Sequence, residues 1–236
     1  LMGAYFLARF NQGNGMQLGS VLGEAYGKVL IIGDGVVGQH AAKVASAMGA
    51  KVIIAGLNKE KWSSNCEDKL PLVEFILSNQ QNIAEQIIDA DLVIGAVLCR
   101  GTKAPKVLTE AKLKTMQKGA VIVDVSIDQG GCFDTSRVTS HSDPVFIKHG
   151  VVHYCVANMP GAYPKTSTIA LAKITINYIK EISKTRLESL IADKGKIKAI
   201  NVYKGKIVVK KIARDLDMMN EFQSIDSLLY EERTDA

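Results

Sequence analysis

The chain has 236 residues, 47% of them apolar and 22% charged, which is enough to bury a sizeable core and too apolar for a disordered segment. Its net charge of +5, from 29 basic and 24 acidic side chains, is modest and is not interleaved with a stacking series of aromatics, so nucleic acid is not implied as a partner. No apolar run approaches the roughly 18 to 20 residues of a membrane-spanning helix, and the opening stretch from Leu1 to Phe10 gives way to Asn11, Gln12 and Asn14, so neither a span nor an intact signal peptide is expected.

In chain order, Lys28 to Ile32 is a short apolar run stopped by glycine, and Lys51 to Ala55 repeats it after an alanine-rich segment. Glu74 to Leu77, Leu92 to Val97, Ala120 to Val125 and Val151 to Val156 continue the series, making six buried strands rich in β-branched residues. Between them, Val37 to Met48, Ile83 to Ala90 and Thr109 to Gln117 carry apolar residues at helical spacing, the last with Thr109 in a cap position. Strands apolar on both faces and alternating with helices require a parallel sheet covered on each side, hence a doubly wound α/β architecture.

After Pro160 the pattern changes. Thr166-Ser167-Thr168 precedes a long helix from Ile169 to about Ile191, with Leu171, Ile174, Tyr178 and Ile182 on one stripe. Asn201 to Lys210 alternates around Gly205 as a strand or hairpin, and Lys211 to Leu216 reads as a short helix. Such an appendage has little core of its own and needs a partner surface. The lysines between Lys180 and Arg214 and the acidic tail from Asp215 to Asp235 read as solvated faces. The chain begins on Leu1 with no polar lead-in, so it reads as part of a longer protein.

Cys66, Cys99, Cys132 and Cys155 stand 33, 33 and 23 positions apart, so no two form a metal knuckle or a redox pair, and a reduced, cytoplasmic setting is expected. The histidines, His40, His141, His149 and His153, are not spaced as metal ligands on a single element, and no metal is expected.

Gly33-Asp34-Gly35-Val36-Val37-Gly38 follows the first of these strands and opens the first of these helices, the context in which G-x-G-x-x-G signals a dinucleotide site. Gly33 permits the turn, Gly35 lets a pyrophosphate approach the backbone, and Gly38 lets helix and strand pack closely. The phosphates then meet N–H groups at the positive end of the helix. An adenine ribose normally meets an acid at the end of the second strand, where this chain has Gly56; Asn58, Glu60 and Lys61 follow in the next loop.

The remaining unusual residues fall at one edge of the expected sheet. Ser78 follows the third strand, Leu98 and Cys99 the fourth, Ser126 to Gly131 the fifth, and Ala157 to Gly161 the sixth. Ligands of open parallel sheets bind outside the carboxyl ends of the strands. Asp128 lies in that group, where a carboxylate can order a polar substrate or assist proton transfer, or simply serve the turn before two glycines.

The segments Gly33 to Gly38, Ala90 to Leu98, Lys103 to Lys106, Val123 to Cys132 and Val156 to Gly161 together closely resemble the alanine dehydrogenase / pyridine nucleotide transhydrogenase family, over nearly the whole chain. Asn201 to Lys206 resembles that family's tail, and Gly3 to Gly23 its linker into the nucleotide domain. The resemblance implies NAD-dependent oxidative deamination of L-alanine to pyruvate and ammonia, and the reverse amination. It implies residues 1–26 as linker, 27–165 as a Rossmann-type NAD-binding domain, and 166–236 as a return segment to a substrate domain. Most of that domain is absent here, with the family's catalytic histidine and substrate-binding lysine and arginine, so the chain alone is expected to bind dinucleotide weakly and turn over little.

Carried over by motif, the resemblance implies that Gly33, Gly35, Val36, Val37 and Gly38 meet the pyrophosphate, and Lys61 and Ser78 the adenosine end. Val97 and Leu98 then line the middle of the cofactor, while Val125, Ser126, Ile127 and Asp128, with Val156, Ala157, Asn158 and Met159, approach the nicotinamide. Asp128 becomes the active-site carboxylate and Arg137 a further cofactor contact. Small-molecule substrates, no membrane partner and a homo-hexamer complete what the family implies. Two other readings stand beside it: the soluble nucleotide-binding subunit of a transhydrogenase, and a non-catalytic nucleotide-binding module.

Overall fold

A computed structural model describes residues 1–65, 70, 73–99, 102–185, 187–193 and 195–234. Its elements in chain order are α1 (Met2–Phe6), β1 (Gly19–Val21), β2 (Glu24–Tyr26), β3 (Lys28–Ile32), α2 (Val36–Ala47), β4 (Lys51–Gly56), α3 (Lys59–Asn65), β5 (Val73–Leu77), α4 (Gln80–Gln86), β6 (Leu92–Gly95), α5 (Glu110–Leu113), β7 (Val121–Asp124), β8 (Val145–Lys148) and β9 (Val151–Tyr154). These are followed by α6 (Pro164–Lys184), α7 (Leu187–Ala192), β10 (Val202–Tyr203), β11 (Lys206–Ile207), α8 (Lys210–Asp215) and α9 (Ile225–Thr234). The chain divides into two compact units, one of residues 1–99 and 103–159, the other of residues 100–102 and 160–236.

The first unit is built on a seven-stranded sheet in the order β5-β4-β3-β6-β7-β9-β8. Every neighbouring pair is parallel except β8 with β9. The six expected strands are all present, and successive residues point to opposite faces as strand geometry demands. Val29, Ile31, Val52, Ile54, Val121 and Val123 pack on one face with Ala42 and Ala45 of α2 and Trp62 of α3. Leu30, Ile32, Ile53, Ala55, Val93 and Ile122 pack on the other with Ile83 of α4 and Leu113 of α5. Covering both faces explains why these strands read as unbroken apolar runs.

Several boundaries differ from expectation. β6, β7 and β9 stop one or two residues early, because residues beyond them leave the ladder to form loops; the last bonds there are Ala96 N–H to Ile32 O and Val125 N–H to Gly95 O. β8 was not expected. It is a half-exposed edge strand joined to β9 through His149 and Gly150, both with positive φ (55° and 78°), the geometry of a two-residue hairpin turn. α4 starts at Gln80 rather than Ile83, capped by the Asn79 side chain, which accepts from Asn82 N–H at 2.8 Å. α5 follows Thr109 but is only four residues long, and the Thr109 side chain makes no cap bond. Residues 1–26 contribute Phe6, Leu7 and Leu18 to the core of this unit, and Phe6 lies 5.5 Å from the Tyr154 ring.

In the second unit, the long helix α6 begins at Pro164, ahead of the Thr-Ser-Thr run, because proline's fixed φ and missing N–H suit the first helical turn. It ends at Lys184, where Thr185 turns extended, and α7 follows as a separate helix. β10 and β11 form the expected hairpin, with Lys204 and Gly205 both at positive φ. Leu171, Ile174, Tyr178 and Ile182 remain 58–65% exposed, and α6 buries no residue. No helix among the described residues is long and apolar enough to cross a membrane.

Candidate functional site

The chain leaves β3 outward to β4 and β5, then returns to the other side of β3 with β6. The carboxyl ends of β3 and β6 therefore flank the point where strand order reverses, the place at which open α/β sheets bind ligands. The glycine loop sits there. Gly33 has φ +113°, and a side chain on it would collide with the carbonyl of Ala96, just past β6. A side chain on Gly38 would collide with the Gly33 carbonyl, so the start of α2 can lie against the end of β3 only if residue 38 is glycine. Gly35 is different: a Cβ there would meet nothing within 4 Å.

Gly35 is the N-cap of α2 and supplies no side-chain cap, and the first turn holds no acidic residue. Val36 and Val37 are 74% and 47% exposed. The free N–H groups and the positive end of the helix thus face open space, which suits a phosphate. The residues present fit a dinucleotide: a Cβ-free approach at Gly35, an uncapped helix start, and apolar residues beside it.

Beside this loop, Gly56 closes β4. A Cβ on it would stand 2.5 Å from Asp34 Oδ2 and 2.5 Å from Phe75 Cε2. The Asp34 carboxylate therefore occupies the space into which a strand-end side chain would project. Ser78 N–H donates to Gly56 O at 2.7 Å, holding the end of β5 against the end of β4. Lys61 lies on α3, but its side chain lies outside the described residues, as does Cys66.

The loop after β7 is held from two sides. Asp124 is fully buried, and its carboxylate accepts from Ser126 N–H (3.0 Å), Cys132 N–H (2.8 Å) and Ser136 Oγ–H (2.5 Å). Lys106 Nζ donates to the carbonyls of Gly130 (2.9 Å), Gly131 (2.9 Å) and Phe133 (3.1 Å). Ser126 Oγ donates to Val97 O at 2.7 Å, joining this loop to the one after β6. Gln129 Oε1 is buried with no hydrogen-bond partner among the described residues, an acceptor left for a bound molecule or water to satisfy.

Asp128, on this clamped loop, is exposed, and its Oδ1 accepts from Asn158 N–H at 3.1 Å. The structure thus brings Asp128 to the main chain of Asn158, which Ala157 and Met159 flank in sequence. Leu98 is 67% exposed at the same edge. Ile127 and Val156 are there too, but their side chains are buried in the core, so they have only main chain to offer a ligand. Arg137 lies against the edge of the sheet, its guanidinium 4.3 Å from the ring centre of Phe146 on β8.

Three of the four histidines make hydrogen bonds within the fold, and His40 is exposed on α2. His153 is buried, and its Nδ1 lies 2.9 Å from Val151 O. A carbonyl can only accept, so Nδ1 carries the proton and Nε2 accepts from Thr135 Oγ1 at 2.7 Å. Burial holds its pKa below the ordinary value, in keeping with a neutral ring. His149 Nε2 donates to Glu110 Oε1 at 2.6 Å, and this bond, with Lys148 alongside, lowers the pKa of Glu110. His141 Nε2 donates to Asn158 O at 3.1 Å. Cys99, Cys132 and Cys155 are free thiols, and the described residues hold no cluster of three or more metal-ligating side chains.

The family model for "Alanine dehydrogenase/PNT, C-terminal domain" matches residues 1–210. An alanine dehydrogenase of Staphylococcus haemolyticus is 44% identical over 233 residues, 98% of this chain and 62% of its own length. An alanine dehydrogenase 2 of Staphylococcus aureus is 43% identical over 231 residues, again 62% of its own length. Among solved structures, an L-alanine dehydrogenase superposes with a TM-score of 0.82 at 41% identity, covering 92% of this chain and 60% of that one. A transhydrogenase from Sinorhizobium meliloti superposes with a TM-score of 0.62 at 23% identity over 76% of this chain, a likeness of fold. The chain spans about 62% of the length of these curated relatives.

Proposed function

Because the chain belongs to the alanine dehydrogenase/PNT family, through that family's C-terminal domain, we propose that it supplies the cofactor-binding part of an NAD-dependent alanine dehydrogenase. The reaction is L-alanine, water and NAD to pyruvate, ammonia and NADH, and its reverse. The observation that carries the reading is the open approach at Gly35 to the uncapped start of α2, at the point where strand order reverses.

Bound NAD would supply the hydride acceptor. Of this chain's residues, Gly33, Gly35, Val36, Val37 and Gly38 hold the pyrophosphate on main-chain N–H groups, with Lys61 and Ser78 toward the adenosine. Val97 and Leu98 line the middle, and Arg137 adds a contact. Val125 to Asp128 and Val156 to Met159 orient the nicotinamide end, where Asp128 holds or moves a proton. Residues 27–165 act as the nucleotide domain, with 1–26 leading in. Residues 166–236 return to a substrate domain carried mostly by the rest of the protein, and the exposed stripe on α6 suits a subunit contact in a cytoplasmic hexamer.

The test is a steady-state assay of the complete gene product. NADH should form from L-alanine and NAD, and disappear with pyruvate only when ammonia is present. Hydride exchange between NADH and an NADP analogue without either reaction would replace this reading with the transhydrogenase one.

A further inference from the structure

We propose that Asp34, inside the glycine loop, is the carboxylate that selects the adenosine ribose of the cofactor, and that residue 56 is glycine in order to admit it. The inference rests on the dinucleotide reading above and adds the residue that sets preference between NAD and NADP.

A fold of this type needs an acceptor at the end of its second strand, because an acid there bonds the ribose hydroxyl of NAD and repels the 2′-phosphate of NADP. β4 ends in Gly56 and has none. The space is nevertheless filled by a carboxylate, since Asp34 Oδ2 stands 2.5 Å from the position of a Cβ on residue 56. A side chain at 56 would press on this carboxylate and on the Phe75 ring, whose Cε2 stands equally close. The acid has changed strands while its location, at the carboxyl edge between β3 and β4, is kept.

Simpler reasons for an aspartate here do not hold. It does not cap α2, whose N-cap is Gly35 with no side-chain bond. Asp34 takes part in the loop through its main-chain oxygen, which accepts from Gln39 Nε2 at 2.8 Å. Among the described residues its carboxylate has no hydrogen-bond or ion-pair partner, although the residue is half-buried. A negative charge within a phosphate-binding loop opposes phosphate unless it is turned aside, and this one is turned toward the end of β4. What remains is a carboxylate kept for a ligand's hydroxyls, which it can accept from in strong, charge-assisted bonds.

The test measures dissociation constants of the complete gene product and its Asp34→Asn and Asp34→Ala variants for NADH, NADPH and reduced nicotinamide mononucleotide, which lacks the adenosine. The wild-type protein should favour NADH over NADPH. Both variants should weaken NADH about ten- to a hundredfold, the range of a lost charged hydrogen bond. Their preference over NADPH should shrink at least about tenfold, while the mononucleotide and the melting temperature stay unchanged. Variants that keep wild-type NADH affinity and preference overturn the assignment while leaving the dinucleotide site standing, as does an equal loss for the mononucleotide. A wild-type complete protein that takes neither dinucleotide overturns both.

Discussion

The main-chain N–H of Asn158 donates to Asp128 Oδ1 at 3.1 Å, so the loop after β7 and the loop after β9 meet at a single carboxylate. Asn158 holds φ at 52°, a left-handed conformation that asparagine tolerates better than most residues. Asp128→Asn keeps an oxygen for this bond and removes the basic group. If Asp128 handles a proton, kcat of the complete enzyme should fall about a hundred- to ten-thousandfold, with NADH affinity within a few-fold of wild type. A variant with normal kcat would reduce Asp128 to a tie between two loops.

Gly35 and Gly38 lie on the same loop and should fail in opposite ways. Alanine at 38 would drive its Cβ into the Gly33 carbonyl, and that contact is main chain, which cannot swing aside. Overpacking of this kind costs about 1 to 3 kcal/mol or more, so thermal unfolding should come earlier with or without ligand. Alanine at 35 meets nothing within 4 Å and sits at φ −72°, which suits any residue. Its melting temperature should match wild type while dinucleotide affinity drops, because the methyl stands where a pyrophosphate approaches. Calorimetric titration beside a melting curve separates the two.

The strands of the parallel sheet were legible because burial on both faces removes polar alternation: Leu30 and Ile31 point in opposite directions and both are buried. β8 was not, since Val145 to Lys148 is only partly covered and its turn uses His149-Gly150 rather than the usual Asn-Gly. The glycine loop could be read because its chemistry is local. The contact between Asp34 and Gly56 could not, because it joins the ends of two strands that become neighbours only in the folded sheet. An acid inside the loop together with a glycine where an acid is due was the available signal. Asp124 reads in the sequence as one residue of the strand from Ala120 to Val125, and its role as acceptor for donors spread over the next loop is equally invisible before folding.

That role gives a stability prediction. Asp124→Ala leaves Ser126 N–H, Cys132 N–H and Ser136 Oγ–H without their acceptor, two of them in fully buried surroundings. An unmet buried donor costs about 1 to 3 kcal/mol, so the urea midpoint should fall by an amount equivalent to about 3 kcal/mol or more. Asp124→Asn retains one oxygen and should fall between. Hydrogen exchange of the Cys132 amide should quicken in both variants, and unchanged protection there would show that Lys106 and the Ser126–Val97 bond hold the loop without Asp124.

Cys155 supplies a pH dependence that runs toward the alkaline side. Its side chain is fully buried, and burial, with the nearby Asp124 carboxylate second, pushes the thiol from 9.0 up to about 11. The folded chain thus keeps the proton where the unfolded chain has lost it. The stability tied to the neutral thiol is fully present below pH 9.0 and is lost as pH rises from there toward about 11. The slope approaches about 1.4 kcal/mol per pH unit for one proton. Burial raises the Cys132 thiol as well, so it acts in the same direction. Urea midpoints at pH 8 and pH 10.5 should differ more for wild type than for Cys155→Ala, in which one of the two thiols no longer titrates, and lysine titration cancels in that comparison. An identical drop in both proteins would mean that the Cys155 thiolate meets water or a cation in the folded state.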